Sequence, residues 1–115
     1  MAAPDSCVFC QIVQGTLPAD IVYRMPMFVA FRDTNPQAPD HLLIVSADHI
    51  ESLATCEDPQ LLGTMLAAAH EVARKVHIDH GGYRVVVNTG KHGGQTVQHL
   101  HYHVLGGRRM QWPPG

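Results

Sequence analysis

Three histidines alternate with apolar residues in the segment His99-Leu100-His101-Tyr102-His103-Val104-Leu105. Successive side chains on a β-strand point to opposite faces, so a strand here places all three imidazoles on one face. A helix would spread the same histidines around its axis with no common target. Imidazole titrates near neutral pH and can act as nucleophile, general base or metal ligand. The alternation therefore predicts a strand that carries a candidate active site; the alternative is a half-buried strand whose polar face happens to be histidine.

Two kinds of chemistry fit a row of histidines. One metal ion held by all three is disfavoured, because the Cα atoms of His99 and His103 lie ~13 Å apart on a straight strand whereas zinc–nitrogen bonds are only ~2.0–2.1 Å long. Attack of neutral imidazole on phosphorus fits better, since a flanking histidine can bind the phosphoryl oxygens. The preceding Gly93-Gly94-Gln95-Thr96 adds main-chain N–H donors and a hydroxyl suited to phosphate.

The rest of the chain predicts helix, strands, helix and strands in that order. Helices are expected at residues 7–14, ended by Gly15, and at residues 60–76, with Asp58 as N-cap and Pro59 at the first helical position. Strands are expected at residues 21–24, 27–32, 41–46, 83–89 and 99–105, with a Met25-Pro26 turn and loops at residues 33–40 and 90–94. The predicted fold class is α+β, with a mostly antiparallel sheet, one long helix and a short N-terminal helix.

Length and charge limit the functional classes. The 115 residues suit one domain, and 45% apolar residues argue against disorder. A net charge of −2 gives no basic surface for nucleic acid, and no apolar run approaches the ~20 residues of a membrane helix. We see no secretory signal, and the odd number of cysteines, 3, suits a reducing compartment, so we expect a cytoplasmic protein with a loose segment at residues 1–6.

The cysteines, the tail and the remaining histidines are less informative. The pair Cys7 and Cys10 has the spacing of a zinc half-site, but a redox pair or two core cysteines on a helix have it too. Cys56 reads as an ordinary buried or half-buried cysteine. In the tail, residues 106–115, Trp112 is either pinned on its own fold or buried against a partner. Surface positions without a role are expected for His70, His77, His80 and His92.

The histidine segment resembles the histidine triad (HIT) signature, His-φ-His-φ-His-φ-φ, and the similarity covers essentially the whole chain from Cys7 onward. It includes Phe31-Arg32-Asp33, Pro36-Gln37-Ala38-Pro39, His41-Leu42-Leu43-Ile44, His49-Ile50, Tyr83-Arg84-Val85-Val86-Val87-Asn88 and Gly93-Gly94-Gln95-Thr96-Val97. The tail, Gly106-Gly107-Arg108 through Met110 and Trp112-Pro113-Pro114-Gly115, resembles the Hint branch, the histidine triad nucleotide-binding proteins. Two features separate the chain from the other branches of the family. Its third triad position is histidine, where the nucleotidylyltransferase branch has glutamine, and its tail ends in Trp-Pro-Pro-Gly.

The resemblance implies a single HIT domain over residues 1–115 that acts as a homodimeric purine nucleoside phosphoramidase. Such an enzyme cleaves AMP or GMP from an amine through a covalent nucleotidyl-histidine intermediate, without a catalytic cofactor. The resemblance assigns His101 as nucleophile, His103 to the phosphate oxygens and His41 as a supporting histidine. Thr96 stands where the branch usually has serine; it keeps the hydroxyl, and its methyl group restricts the leaving group slightly.

The resemblance also implies the nucleotide contacts. Asp33, with Thr34 beside it, matches the acidic residue that accepts hydrogen bonds from the ribose hydroxyls. The phosphate-side loop is matched by Asn88, Gly94, Gln95 and Thr96. The apolar walls around the base are matched by Val8, Phe9, Ile12 and Phe31, four residues whose types alone would predict ordinary core positions.

A zinc site and a dimer contact complete what the resemblance implies. Some microbial relatives hold zinc with such a cysteine pair and two histidines, matched by Cys7, Cys10, His49 and His99, which is a Cys₂His₂ set typical of a closed structural site. His99 is then assigned to the metal instead of catalysis. Trp112 is placed near the partner's site in a two-fold dimer. Two alternatives stay open: a nucleotide-binding regulatory or scaffold module with incidental turnover, and a protein whose zinc site is the functional centre.

Overall fold

Two helices and five strands follow one another along residues 6–115, the part of the chain that the computed structural model describes. They are α1 (Val8–Gln14), β1 (Ile21–Met25), β2 (Phe28–Arg32), β3 (Asp40–Ser46), α2 (Pro59–Lys75), β4 (Tyr83–Val86) and β5 (His101–Gly106), with a short 3-10 turn at Leu53–Thr55. The expected loose segment at residues 1–6 lies outside the described residues except for Ser6, which is exposed.

The five strands form one antiparallel sheet in the order β1-β2-β3-β5-β4. The histidine strand β5 therefore lies between β3 and β4, where neighbours on both sides hold it. His103 pairs with Leu43, and His101 pairs with Val45. The α+β class, the antiparallel sheet and the two predicted helices are confirmed.

The two faces of the sheet bury different clusters. On one face α2 covers Leu42, Ile44, Leu100, Tyr102 and Val104. On the other face the short helix α1 packs on β2 and β3, and the buried residues there are Cys7, Phe9, Cys10, Ile12, Val29, Phe31, Leu43 and Val45. Because side chains alternate along β5, Tyr102 and Val104 belong to the α2 face, and His101 and His103 point toward α1.

Helix α2 begins and ends as its sequence predicts, within one residue. The Asp58 carboxylate accepts hydrogen bonds from the N–H groups of Gln60 and Leu61, and Pro59 occupies the first helical position. A buried stripe faces the sheet and consists of Leu61, Met65, Ala68, Ala69, Val72 and Ala73. No helix within residues 6–115 is both long and apolar enough to cross a membrane.

Three local predictions were wrong, and one short element was missed. The first hairpin turn lies one residue later than expected, because β1 includes Met25. The 3-10 turn at Leu53–Thr55 was missed, and its capping box between Ser52 and Thr55 is the signal that could have found it. Strand β4 stops at Val86 rather than Thr89, because the main chain of Thr89 lies against Gly93 and belongs to the glycine loop. His99 precedes β5, although its side chain stays on the histidine face.

Candidate active site and an adjacent cysteine–histidine cluster

A cavity of about 730 Å³ opens on the α1 face of the sheet. Its apolar lining includes Val8, Phe9, Ile12, Phe31 and Leu43, and its polar lining includes Asp33, Thr34, His41, Thr96, His101 and His103. A cavity of this size with a few convergent polar groups is typical of a small-molecule site. The structure thus brings together most of the predicted nucleotide-binding residues.

His101 has the geometry of a nucleophile. Its Nδ1 lies 2.6 Å from the carbonyl oxygen of His99, and because a carbonyl only accepts, Nδ1 must carry the proton. The neutral ring then has its lone pair on Nε2. Burial lowers the pKa of His101, against the opposing effects of this hydrogen bond and the charge of Asp33, so the ring is neutral at pH 7. The ring also lies edge-on to Phe9, with centroids 5.1 Å apart, which fixes its plane.

His103 and His41 form a hydrogen-bonded pair beside the nucleophile. Nε2 of His41 lies 2.9 Å from Nδ1 of His103 and 3.4 Å from a carboxylate oxygen of Asp33. Burial, reinforced by the neighbouring imidazoles of His101 and His41, lowers the pKa of His103 to about 4. Burial also lowers the pKa of His41, partly offset by the Asp33 charge. Both rings are therefore neutral at physiological pH, so they can lie side by side without charge repulsion.

The Asp33 carboxylate is held at the start of the loop between β2 and β3. Its Oδ1 accepts a hydrogen bond of 2.8 Å from the N–H of Asn35, an arrangement that locks the side-chain rotamer. The main-chain N–H of Asp33 donates to the carbonyl of His41, which closes the loop at its base. Asp33 lines the cavity, and its Oδ2 lies 3.4 Å from Nε2 of His41.

The glycine loop presents one of its predicted ligands to the cavity. Thr96 lines it and is exposed, whereas Asn88, Gly94 and Gln95 are not among its lining residues. The Gln95 side chain is buried and used within the protein: Oε1 accepts from the N–H of Gly90, and Nε2 donates to the carbonyls of Glu51 and Val97. Gln95 therefore shapes the loop, a role that sequence reasoning missed because its partners are main-chain groups, one of them on a distant segment.

The second cluster lies behind the first turn of α1. There Cys7, Cys10, His49 and His99 bring their ligand atoms within 4.8 Å of one another. Nδ1 of His99 is 3.3 Å from Sγ of Cys7 and 3.4 Å from Sγ of Cys10, and Nδ1 of His49 is 3.2 Å from Sγ of Cys10. Both cysteines are free thiols, and burial raises the pKa of the Cys10 thiol to about 12, with the neighbouring Cys7 adding to the shift.

The far side of the His99 ring determines which nitrogen faces the thiols. Nε2 of His99 lies 2.8 Å from the carbonyl oxygen of Ser46, so this nitrogen carries the proton and Nδ1 presents a lone pair to the cysteines. Burial lowers the pKa of His99, which keeps the ring neutral. The cluster is a group of metal-capable side chains with the ligand set expected for zinc.

The tail folds back on β4. The Arg84 guanidinium donates to the carbonyl of Gln111 and lies 6.0 Å from the centre of the Trp112 ring. The indole is nonetheless 81% exposed and does not line the cavity of its own chain. The four histidines without an assigned role are exposed as predicted, and His70 additionally contacts the hydroxyl of Tyr83 at 2.7 Å.

Comparisons with known proteins agree with this architecture. Residues 14–110 match the family model described as HIT domain. An uncharacterized HIT-like protein of Synechococcus elongatus is 46% identical over 113 residues, covering 96% of this chain and 98% of the relative. The crystal structure of a HIT family hydrolase from Legionella pneumophila has a TM-score of 0.92 at 45% identity and covers 96% of this chain and 100% of that chain. A histidine triad protein from Clostridium difficile has a TM-score of 0.91 at 36% identity, with 96% and 97% covered.

Proposed function

This chain belongs to the HIT domain family, and we propose that it is a nucleotide-binding hydrolase that cleaves nucleoside 5′-phosphoramidates into a purine nucleotide, AMP or GMP, and an amine. The solved relative from Legionella pneumophila is described as a hydrolase. The observation that carries the proposal is the hydrogen bond of 2.6 Å from His101 Nδ1 to the His99 carbonyl, because it leaves an unprotonated Nε2 in the cavity. The Hint-like tail supports the phosphoramidase branch of the family.

The proposed reaction has two displacements at phosphorus. In the first, the lone pair on His101 Nε2 forms a bond to phosphorus while the phosphorus–nitrogen bond breaks. The bonding pair stays with the amine, which takes one proton from solvent through the hydroxyl of Thr96, an exposed residue that lines the cavity. In the second, water attacks the nucleotidyl-histidine, the electron pair returns to Nε2, and the water proton passes to solvent. His103 donates a hydrogen bond to the phosphoryl oxygens throughout.

The remaining contacts orient the nucleotide. The Asp33 carboxylate, already fixed by Asn35 and His41, accepts hydrogen bonds from the ribose hydroxyls, with Thr34 beside it. The base lies between the apolar walls that α1 and β2 provide. There the rings of Phe9 and Phe31 pack edge to face, with their centroids 5.7 Å apart. On the phosphate side Thr96 acts directly and Gln95 sets the shape of the loop that carries it, with Asn88 and Gly94 beside them on the phosphate-side segment.

We also propose that Cys7, Cys10, His49 and His99 hold a structural zinc ion. Sulfur–nitrogen separations of 3.2–3.4 Å are close to the ~3.6 Å that a tetrahedral ion with Zn–S and Zn–N bonds spans. The Ser46 carbonyl fixes the required His99 tautomer, as outer hydrogen bonds to metal-bound histidine do. The ion would tie α1 to the segment before β5 and thereby hold His99 in place. No cofactor takes part in the chemistry.

A homodimer is the proposed assembly. β4 is one of the two edge strands of the sheet, and Trp112 is held beside it by Arg84 with its indole exposed. An edge strand with a large exposed aromatic beside it is typical of an association surface. The indole of one chain would lie near the cavity of the other.

The three free thiols suit the reducing cytoplasm as the compartment.

The assay that tests this function measures the hydrolysis of an AMP phosphoramidate that carries a fluorescent amine. We expect His101→Ala to lower kcat by at least about 10³-fold while AMP still binds, because only the nucleophile is removed. His92→Ala, a change in an exposed histidine of the same glycine loop, is the matched control and keeps wild-type turnover. Binding of AMP without turnover in the wild type would instead favour the alternative of a nucleotide-binding regulatory module.

A further inference from the structure

The loop between β2 and β3 sets the protonation pattern of His41. The main-chain N–H of Gln37 donates a hydrogen bond of 3.0 Å to Nδ1 of His41. A main-chain N–H can only donate, so Nδ1 must be the unprotonated nitrogen. The neutral ring then carries its single proton on Nε2, the atom that faces His103 and Asp33. Only one hydrogen fits in the 2.9 Å contact between His41 Nε2 and His103 Nδ1, so His103 in turn carries its proton on Nε2.

The Gln37 main chain is itself braced by the segment after β5. The Arg108 guanidinium donates a hydrogen bond of 3.0 Å to the carbonyl oxygen of Gln37. Gly107 lies so close to this loop that a Cβ atom there would be 2.8 Å from Cβ of Pro39, and its φ of +88° also requires glycine. The Gln37 side chain adds a hydrogen bond to the carbonyl of Asn35. Residues 35–39 are therefore held in place by a hydrogen bond within the loop and by contacts from Gly107 and Arg108 in the tail.

We propose that Arg108 is a positioning residue: by holding the Gln37 main chain it keeps the proton of His41 on Nε2 and so directs the Nε2–H of His103 toward the substrate. The catalytic consequence rests on the proposed function, whereas the tautomers themselves rest on the geometry alone. Without the Gln37 N–H, His41 could move its proton to Nδ1. His103 would then donate from Nδ1 to His41, and its Nε2 would face the phosphoryl oxygens with a lone pair, which repels them.

The hydrogen bond from Gln37 to His41 also distinguishes the two metal-capable groups found among the described residues. The ligand atoms of Asp33, His41 and His103 also lie within 4.8 Å of one another. A metal on Nε2 of His41 would require a proton on Nδ1, where it would meet the Gln37 N–H head-on. His99 has the opposite arrangement, because the Ser46 carbonyl accepts from its far nitrogen and frees the near one. We therefore assign the Asp33–His41–His103 group to proton placement and not to metal binding.

The test reads the tautomers directly, by long-range ¹H–¹⁵N correlation NMR of histidine-labelled protein, with signals assigned by loss in His41→Asn and His103→Asn. In the wild type we expect an unprotonated Nδ1 and a protonated Nε2 on both His41 and His103. In Arg108→Ala we expect His41 to show a mixture of tautomers and kcat to fall on the order of 10-fold with little change in KM. Arg108→Lys, which can supply one hydrogen bond, is expected to restore part of both.

Arg109→Ala is the matched control, because its side chain is an exposed neighbour without a contact to the Gln37 carbonyl. A proton on Nδ1 of His41 in the wild type would overturn the proposal whatever the activity. Equal tautomers and equal kcat in Arg108→Ala and Arg109→Ala would overturn the role of Arg108. The predicted tautomers in a protein that does not hydrolyse the phosphoramidate would uphold the protonation pattern and reject the proposed function instead.

Discussion

The carbonyl oxygen of His99 lies 2.6 Å from Nδ1 of His101, so the main chain of one histidine determines where the next carries its proton. The side chain of His99 points to the cysteines, with Nδ1 3.3 Å from Sγ of Cys7. One residue thereby joins the proposed metal site to the proposed nucleophile. Loss of the metal should act on catalysis through the position of this carbonyl and not through the chemistry of the ion.

Removal of the metal is therefore expected to lower stability first and turnover second. Cys10→Ser or a strong chelator should reduce bound zinc from one ion per chain to well below one, and should lower Tm by about 10 °C or more, since structural zinc contributes folding free energy. Elemental analysis and thermal melts measure both. Cys56→Ser, which alters the cysteine outside the cluster, is the control and keeps zinc and Tm. Unchanged zinc content in Cys10→Ser would exclude this ligand set.

The Asp33 carboxylate is expected to accept hydrogen bonds from the ribose hydroxyls of the nucleotide. Hydrogen bonds to a charged group contribute about 1.5–3 kcal/mol, so Asp33→Asn should weaken AMP binding by about 10- to 100-fold. A 2′,3′-dideoxy analogue lacks both hydroxyls and should bind the wild type and the variant alike. Isothermal titration with the two ligands checks this. Asp20→Asn, near Arg32 and largely exposed, is the control. An equal loss for both ligands would mean that Asp33 acts through His41 rather than on the ribose.

Acid is expected to destabilise the protein partly through His103. The pKa of His103 is about 4 in the folded chain, against 6.5 for an unperturbed histidine, so the unfolded chain binds more protons between these values. The free energy of unfolding is thus highest above pH 6.5 and falls as the pH drops toward 4, with a slope of up to about 1.4 kcal/mol per pH unit for this one group. Urea unfolding at several pH values should show a shallower slope in His103→Asn. An identical slope in the variant would contradict the low pKa.

Gln95 is expected to hold the glycine loop rather than the ligand. Gln95→Ala leaves the main-chain groups of Gly90, Glu51 and Val97 without this partner and should cost about 1–3 kcal/mol of stability. It should lower kcat by moving Thr96, with a smaller effect on AMP affinity. Gln98→Ala removes an exposed amide from the same segment and serves as control. A loss of AMP binding with unchanged stability would instead make Gln95 a direct ligand.

The alternation in residues 99–105 was sufficient to predict the histidine face of the sheet. Side-chain direction on a strand depends only on local geometry, and His101, His103, Leu100, Tyr102 and Val104 all lie on the predicted faces. The caps of α2 were equally readable, because Asp58 and Pro59 act within one turn of the helix.

The contacts that position the site could not be predicted in this way. The hydrogen bond from Arg108 to Gln37 joins residues 71 positions apart, and Gln95 reaches a carbonyl 44 positions away. Each contact depends on how a loop packs against the folded sheet, and the hydrophobic periodicity of the sequence carries no information about that packing. The end of β4 at Val86 has the same origin, since the close approach of Gly93 to Thr89 depends on how the glycine loop folds back.

The stereochemical course at phosphorus tests the central claim most directly. One diastereomer of an adenosine 5′-phosphorothioamidate would be hydrolysed in ¹⁸O-water, and the configuration of the labelled phosphorothioate determined by ³¹P NMR. Two in-line displacements, the first by His101 and the second by water, predict overall retention of configuration. Inversion would mean a single direct attack by water and would contradict a covalent intermediate on His101.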